Sequence, residues 1–403
     1  MNSQIHNLLN KWVSQLIDRD HLAKRLESWD KIVVKFGIDP SGTIVHLGHM
    51  VPILKLKQFQ EMWHKVILLI GDATAQVGDA SDKDAERPML QRAETEANAK
   101  LFLSKFVKVL DLSQIEVYYN SEGLDAVNFA GVGELAKNFS VAEMLDRDNF
   151  SKRYKSGVRI SLQEFLYPIM QWYDSVAIAR KYGACDLELG GTDQYFNLLA
   201  GRTLMGAHGL PKQDIMTFDL LVGSDGKKMS KTSPNTIAID EAPQSMYQKL
   251  INIQDDLIVA YYELATDATL EEAEEVKKRL ESGEHPNVLK IELAQRVITM
   301  YHGKPYDLND KNSIEKISLK DLRVINQQNE VSLTSLDINK ESIGELLKLL
   351  SFCATSGDVR NALVGKSVRI DGVVIEDPKF LVTISPDGTL VEMGKKKAKR
   401  VFV

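Results

Sequence analysis

The sequence predicts an α/β protein: a Rossmann-like domain on a parallel sheet, then an all-helical domain, then a small α+β domain. Three observations carry this. Residues 32–120 alternate short β-branched runs with helical periodicity, the pattern of parallel strands joined by helices. From Ala242 to about Arg323 only helical periodicity remains. Residues 326–338 are polar and weakly patterned, a linker, and beyond them two short helical stretches are followed by short strands. The expected domains are 1–220, 221–325 (a lysine-rich loop, then the helices) and 339–403.

In order, Ile5, Leu8, Leu9, Trp12, Val13, Leu16 and Ile17 recur at helical spacing interrupted by charges, so Met1–Ser28 reads as helix and not as a signal peptide. Strands are expected over Ile32–Ile38, Val66–Ile70 and Ile115–Tyr119, and helices over about Gly48–Trp63 and Leu90–Phe106. Pro52 falls early in the first of these, where a free N–H makes proline tolerable. Asp186–Leu189 reads as a strand entering a Gly-Gly turn, with a helix over Phe196–Met205. After Asn339 come helices Ile343–Leu350 and Gly357–Val364 and strands Val368–Ile370, Val373–Ile375 and Leu381–Thr383.

The 403 residues are 44% hydrophobic and 26% charged, an ordinary globular balance. Cys185 and Cys353 lie too far apart for a disulfide framework or zinc spacing, so no metal site is expected. No run approaches the roughly 18 apolar residues of a membrane span, and a cytoplasmic location is the default expectation. Net charge is −6, unevenly spread. Residues 339–403 hold 11 Lys+Arg against 8 Asp+Glu, a net +3 on a body of −9. A basic end on an acidic body is compatible with RNA contact.

Four stretches carry chemistry. His46-Leu47-Gly48-His49 lies where a strand and a Gly/Pro turn hand over to a helix, and free N–H groups at helix amino ends suit phosphate. A histidine pair at a helix start is also a common ligand-free arrangement, so the match alone is weak. Gly71-Asp72-Ala73-Thr74, leading to Asp79, Lys83 and Arg87, sits at the next strand's carboxyl end; taken alone it also reads as a plain turn. Tyr167, Gln171 and Asp174 share one face of an otherwise apolar helix and either line a pocket or meet solvent. Lys228-Met229-Ser230-Lys231-Thr232 is a basic, hydroxyl-rich loop suited to the charge of a leaving pyrophosphate, or simply a solvated one.

Together these resemble the class I aminoacyl-tRNA synthetases of the bacterial tyrosyl type. His46–His49 matches the HIGH signature, and residues 228–232 match KMSKS except at the last position. Tyr167, Gln171 and Asp174 match the amino-acid pocket pattern, and Gly190-Gly191-Thr192-Asp193-Gln194 a further one. The tail resembles a small RNA-binding module. The resemblance implies tyrosine activation by ATP with Mg2+, without a tightly bound metal or organic cofactor, then transfer to tRNA(Tyr). It also implies a homodimer and no membrane. By matching positions, Asp174 takes the phenol; Tyr167, Gln171 and Asp79 hold the amino group; Asp39 and Gln194 place the substrate and its carboxylate. His46, His49 and Ser41 face phosphates, and Gly48, Gly191 and Asp193 the adenosine. Lys228, Lys231 and Thr232 close on pyrophosphate. Lys83 and Arg87 add charge, and Lys395, Lys396 and Lys397 meet RNA. One departure stands out: many members have a tyrosine two residues before the first glycine, and here that position is Lys35. A synthetase-derived RNA scaffold and a tryptophan enzyme are the alternatives. Intact signatures count against the first, and Asp174 with the RNA module against the second.

Overall fold

The computed structural model describes residues 3–78, 89–146, 148–229, 235–306, 315–318, 340–385, 388–394 and 397–402. The chain forms two compact units, Met1–Tyr306 and Asp307–Val403.

The first unit is organised by a six-stranded sheet: β1 (Val13–Ile17), β2 (Val33–Ile38), β3 (Lys65–Ile70), β4 (Glu116–Tyr119), β5 (Leu187–Gly191) and β6 (Asp214–Phe218), in the order β1-β6-β5-β2-β3-β4. All neighbours are parallel except β1, which runs against β6. From β2 the chain moves outward through β3 and β4, then returns to the other side for β5 and β6. The reversal falls between β2 and β5, where open α/β sheets bind ligands beyond the strands' carboxyl ends.

Side chains alternate across this sheet with period two. Val34, Phe36, Leu68 and Ile70 pack with Met50, Ile53 and Leu54 of the helix Leu47–Glu61. Val33, Ile67 and Leu69 pack with Trp172 and Val176 of the helix Leu162–Tyr182. The latter helix starts on a Ser161–Glu164 capping box and stops at Gly183, whose φ of +85° ends the helical run. Helices Pro243–Ile251, Ile258–Ala265, Leu270–Glu281 and Pro286–His302 follow.

The second unit has helices Ile343–Leu349 and Ser356–Val364. Its five-stranded sheet places Lys397–Phe402 between Thr389–Met393 and Glu315–Ser318. Leu346, Leu347, Leu363 and Val391 are fully buried in its own core.

Several expectations need correction. Met1–Ser28 is not continuous helix: Ser3–Asn10 stops, Trp12 takes φ +68°, and Val13–Ile17 becomes a strand because β6 offers it a partner. β6 itself was not foreseen. Pro52 is the sixth residue of its helix, beyond the first turn, so the Gly48 carbonyl lacks its intrahelical donor. Among the described residues the last helix of the first unit ends at His302 with Gly303 at φ +76°, and Glu315–Ser318, within the span expected to be helical, is a strand of the second unit; Arg323 lies outside the described residues. The expected linker at 326–338 lies outside the described residues.

Candidate active site

The histidine turn follows β2 directly. His46 caps the helix with an extended backbone (φ −120°, ψ 169°) and its N–H donates to His49 Nδ1 at 3.2 Å. That bond leaves His49's ring proton on Nε2. The two rings stack, centroids 3.7 Å apart. The turn is anchored from outside: Asn98 Nδ2 donates to the Pro40 carbonyl (3.0 Å) and Lys105 Nζ to that of Thr43 (2.8 Å).

The base of the lysine loop meets this turn. Val222 and Lys228 form an antiparallel bridge, and the Gly223 N–H reaches the Lys227 carbonyl at 2.7 Å across Gly226, whose φ is +76°. Lys228 Nζ then pairs with Asp193 Oδ2 beyond β5 at 3.2 Å. Met229 is buried, and a Cβ placed on Gly48 would lie 3.4 Å from its terminal methyl. That is ordinary contact; the tighter neighbour of such a Cβ would be the His46 ring, 3.1 Å away at Nδ1. Beyond residue 234 the chain ties in again: Leu47 N–H donates to the Ile237 carbonyl and Ile239 N–H to that of Val45, both at 3.0 Å. Ser230, Lys231 and Thr232 lie outside the described residues, as do Asp79, Lys83, Arg87, Lys395 and Lys396.

Between the turns lies a floor of polar side chains. Tyr167 OH donates to Asp39 Oδ2 (2.9 Å) and Thr74 Oγ1 to Asp39 Oδ1 (2.7 Å). Gln171 Nε2 and Asn197 Nδ2 both donate to Gln194 Oε1, at 3.2 and 2.9 Å. Asn120 Nδ2 donates to Asp174 Oδ2 at 3.3 Å and to Thr74 Oγ1 at 3.0 Å. Asp174 is only 3% exposed. Burial pushes its carboxyl up to about 8, against the pull of Lys35 and of the Asn120 bond. Gly71 leaves room for this network: a Cβ there would fall 2.0 Å from Asp39 Oδ1.

The description "tRNA synthetases class I (W and Y)" belongs to the family that matches residues 27–317. The tyrosine–tRNA ligase of Thermotoga maritima is 40% identical over 400 residues, 98% of this chain and 96% of the relative. That of Bordetella avium is 40% identical over 91% of this chain and 88% of the relative. The chain belongs to the tyrosine branch of the class I tRNA synthetases. The fold agrees: an Archaeoglobus fulgidus tyrosyl-tRNA synthetase complexed with L-tyrosine superposes with a TM-score of 0.61 at 21% identity, covering 74% of this chain and 97% of that one. An Encephalitozoon cuniculi tryptophanyl-tRNA synthetase bound to tryptophan gives 0.59 at 16%, covering 77% and 92%. Fold alone therefore does not choose the amino acid in this family.

In this synthetase, among the described residues singled out from sequence, those after β2 and β5 meet Tyr167, Gln171 and the lysine loop through Asp39, Gln194 and Asp193. Lys397 is different: its ammonium donates to the Phe352 carbonyl at 2.7 Å, inside the second unit's own fold. Sequence reasoning missed Asn120, Thr74 as partner of Asp39, and Asn197. Asn120 was findable, because it follows β4 at the same end of the sheet as the other turns.

Proposed function

We propose that this chain is a tyrosine–tRNA ligase, using Tyr167, Gln171, Asp174, Asp39 and Gln194 to hold tyrosine and the two signature segments to hold ATP. The observation that supports the reading is that the lysine loop meets both other segments, Met229 lying against Gly48 and Lys228 pairing with Asp193. Tyrosine's carboxylate attacks the α-phosphorus of ATP, the bond to the β-phosphate breaks, and pyrophosphate leaves. The carboxylate is already ionised at neutral pH, so no general base is needed. Catalysis is positioning plus stabilisation of charge. His46, His49 and Ser41 take the phosphates and Gly48, Gly191 and Asp193 the adenosine. Lys228, Lys231 and Thr232 take the pyrophosphate with its Mg2+, and Asp79 joins the amino-group partners. The 3′-terminal ribose hydroxyl of tRNA(Tyr) then accepts the tyrosyl group. The Lys83, Arg87 and Lys395–Lys397 charges serve phosphates of ATP or tRNA.

The active form is a homodimer. Phe129 (94% exposed), Val141, Tyr154 and Leu162 (82%) put apolar side chains into solvent on consecutive helices between residues 129 and 166, surface that a second copy would cover. No described helix is long and apolar enough to cross a membrane, and the synthetase works in the cytoplasm. Tyrosine-dependent exchange of pyrophosphate into ATP tests the reading. Exchange driven by tryptophan, or by no amino acid, would defeat it.

A further inference from the structure

β2 carries a lysine in the middle of an apolar strand, and it is 1% exposed. Lys35 stands directly opposite Glu188 in the parallel ladder of β2 with β5. Its Nζ lies 2.8 Å from Glu188 Oε1 and donates to Ser175 Oγ at 2.8 Å. Glu188 is equally enclosed: Oε2 accepts from Ser175 Oγ at 3.1 Å and from Gln213 Nε2. Gln213 is held in turn by the Cys185 thiol at 3.2 Å. Gly201 leaves room for the cluster, since a Cβ there would lie 3.0 Å from Ser175 Oγ. Ser175 is the residue after Asp174, and both are buried. The pair thus holds the residue next to the proposed phenol acceptor, across the two strands between which the sheet's topology reverses.

A buried ion pair of this kind is not needed for stability, because its desolvation cost rivals its attraction. Its charge nevertheless reaches its neighbours. Burial pulls the Lys35 ammonium down, but Glu188, Cys185 and Asp174 outweigh it and the net shift is upward, so the cation persists. Among the described residues, Asp174 therefore faces one fixed cation, Lys35. It also faces the carboxylates of Glu188 and Asp39 and the phenol of Tyr118.

We propose that Lys35 is a positioning residue for substrate recognition: clamped by Glu188 and Ser175, its ammonium is the fixed cation that keeps Asp174 available as acceptor for tyrosine's hydroxyl. The inference rests on the tyrosine–tRNA ligase reading. It assigns Lys35 and Glu188 opposite electrostatic effects on a third residue, which a purely structural pair would not have.

The test measures the KM for tyrosine and for ATP in pyrophosphate exchange between pH 6 and 9, on wild type, Lys35→Met, Glu188→Gln and the double variant. Wild type must first show tyrosine-dependent exchange; without it the functional reading fails, and this inference is not what has been tested. Lys35→Met leaves Asp174 facing an uncompensated Glu188. The tyrosine KM should rise about tenfold or more while the ATP KM holds, and the pH at which tyrosine binding tightens should move up. Glu188→Gln releases the cation toward Asp174 and should move that pH down. The double variant should recover most of the lost tyrosine affinity. If Lys35→Met does not fold, the acid shift in Glu188→Gln and the affinity of the double variant still decide. Shifts in the same direction, no shift, or a parallel rise in both KM values would overturn the proposal.

Discussion

Tyrosine should bind this protein more tightly as the medium becomes less acidic. Asp174, the proposed acceptor for the substrate hydroxyl, is buried, and burial raises its carboxyl to about 8. A carboxylate accepts a hydrogen bond more strongly than its protonated form, so binding favours the ionised state. The group is charged above this pH and neutral below it. Affinity therefore reaches its plateau above about pH 8 and falls below it by at most about tenfold per pH unit, levelling off at the weaker affinity of the protonated form. Below pH 8, up to about one proton should be released for each tyrosine bound. Isothermal titration calorimetry in two buffers of different ionisation enthalpy counts that proton directly. Phenylalanine is the control, having no hydroxyl to read the carboxyl's state. Asp174→Asn should flatten the dependence and narrow the gap between the two amino acids. A flat tyrosine affinity from pH 6 to 8, the same slope with phenylalanine, or a slope that survives Asp174→Asn would refute the assignment.

Three further outcomes follow. Lys228→Met should lower the exchange rate by about 10²–10³ with little change in the tyrosine KM, as pre-steady-state kinetics would show, because this cation meets charge that develops on the leaving group. Removing residues 307–403, at the boundary between the two units, should spare adenylate formation and impair tRNA charging; equal loss in the two assays would contradict a separate RNA-binding role. Lys55 is fully buried with the Leu8 carbonyl at 2.7 Å, and burial holds its pKa well below the ordinary lysine value. The unfolded chain thus binds the proton that the folded one releases, so this lysine's burial costs stability at neutral pH and less as pH rises toward 10.5. Lys55→Met should raise the denaturation midpoint at pH 7.5 and reduce the gain on going alkaline.

The central strands were legible because their signal is local. Val33–Ile38, Lys65–Ile70 and Leu187–Gly191 are apolar runs bounded by turn residues, and burial on both faces removes the need for alternation. β1 was not, because Val13–Ile17 is a strand only by virtue of Asp214–Phe218, some 200 residues away. The polar face of Tyr167, Gln171 and Asp174 could be read from helical spacing, whereas Thr74 joins the floor through its contacts with Asp39 and Asn120, which no spacing encodes. Lys35 is the sharpest case. A charged residue in an apolar strand announces that a partner exists, but which of the chain's many acidic residues it meets is settled by the strand order.

That pairing has one more consequence, for how the sheet assembles. Lys35 faces Glu188 across β2 and β5, with Leu187 and Leu189 on either side of the glutamate. Were β5 to dock one position early or late, ammonium and carboxylate would each be sealed against hydrocarbon, an error far costlier than a misplaced leucine. Misaligned versions of the molecule are therefore rejected during folding, before either substrate arrives, and the turns that follow these two strands come out level with each other.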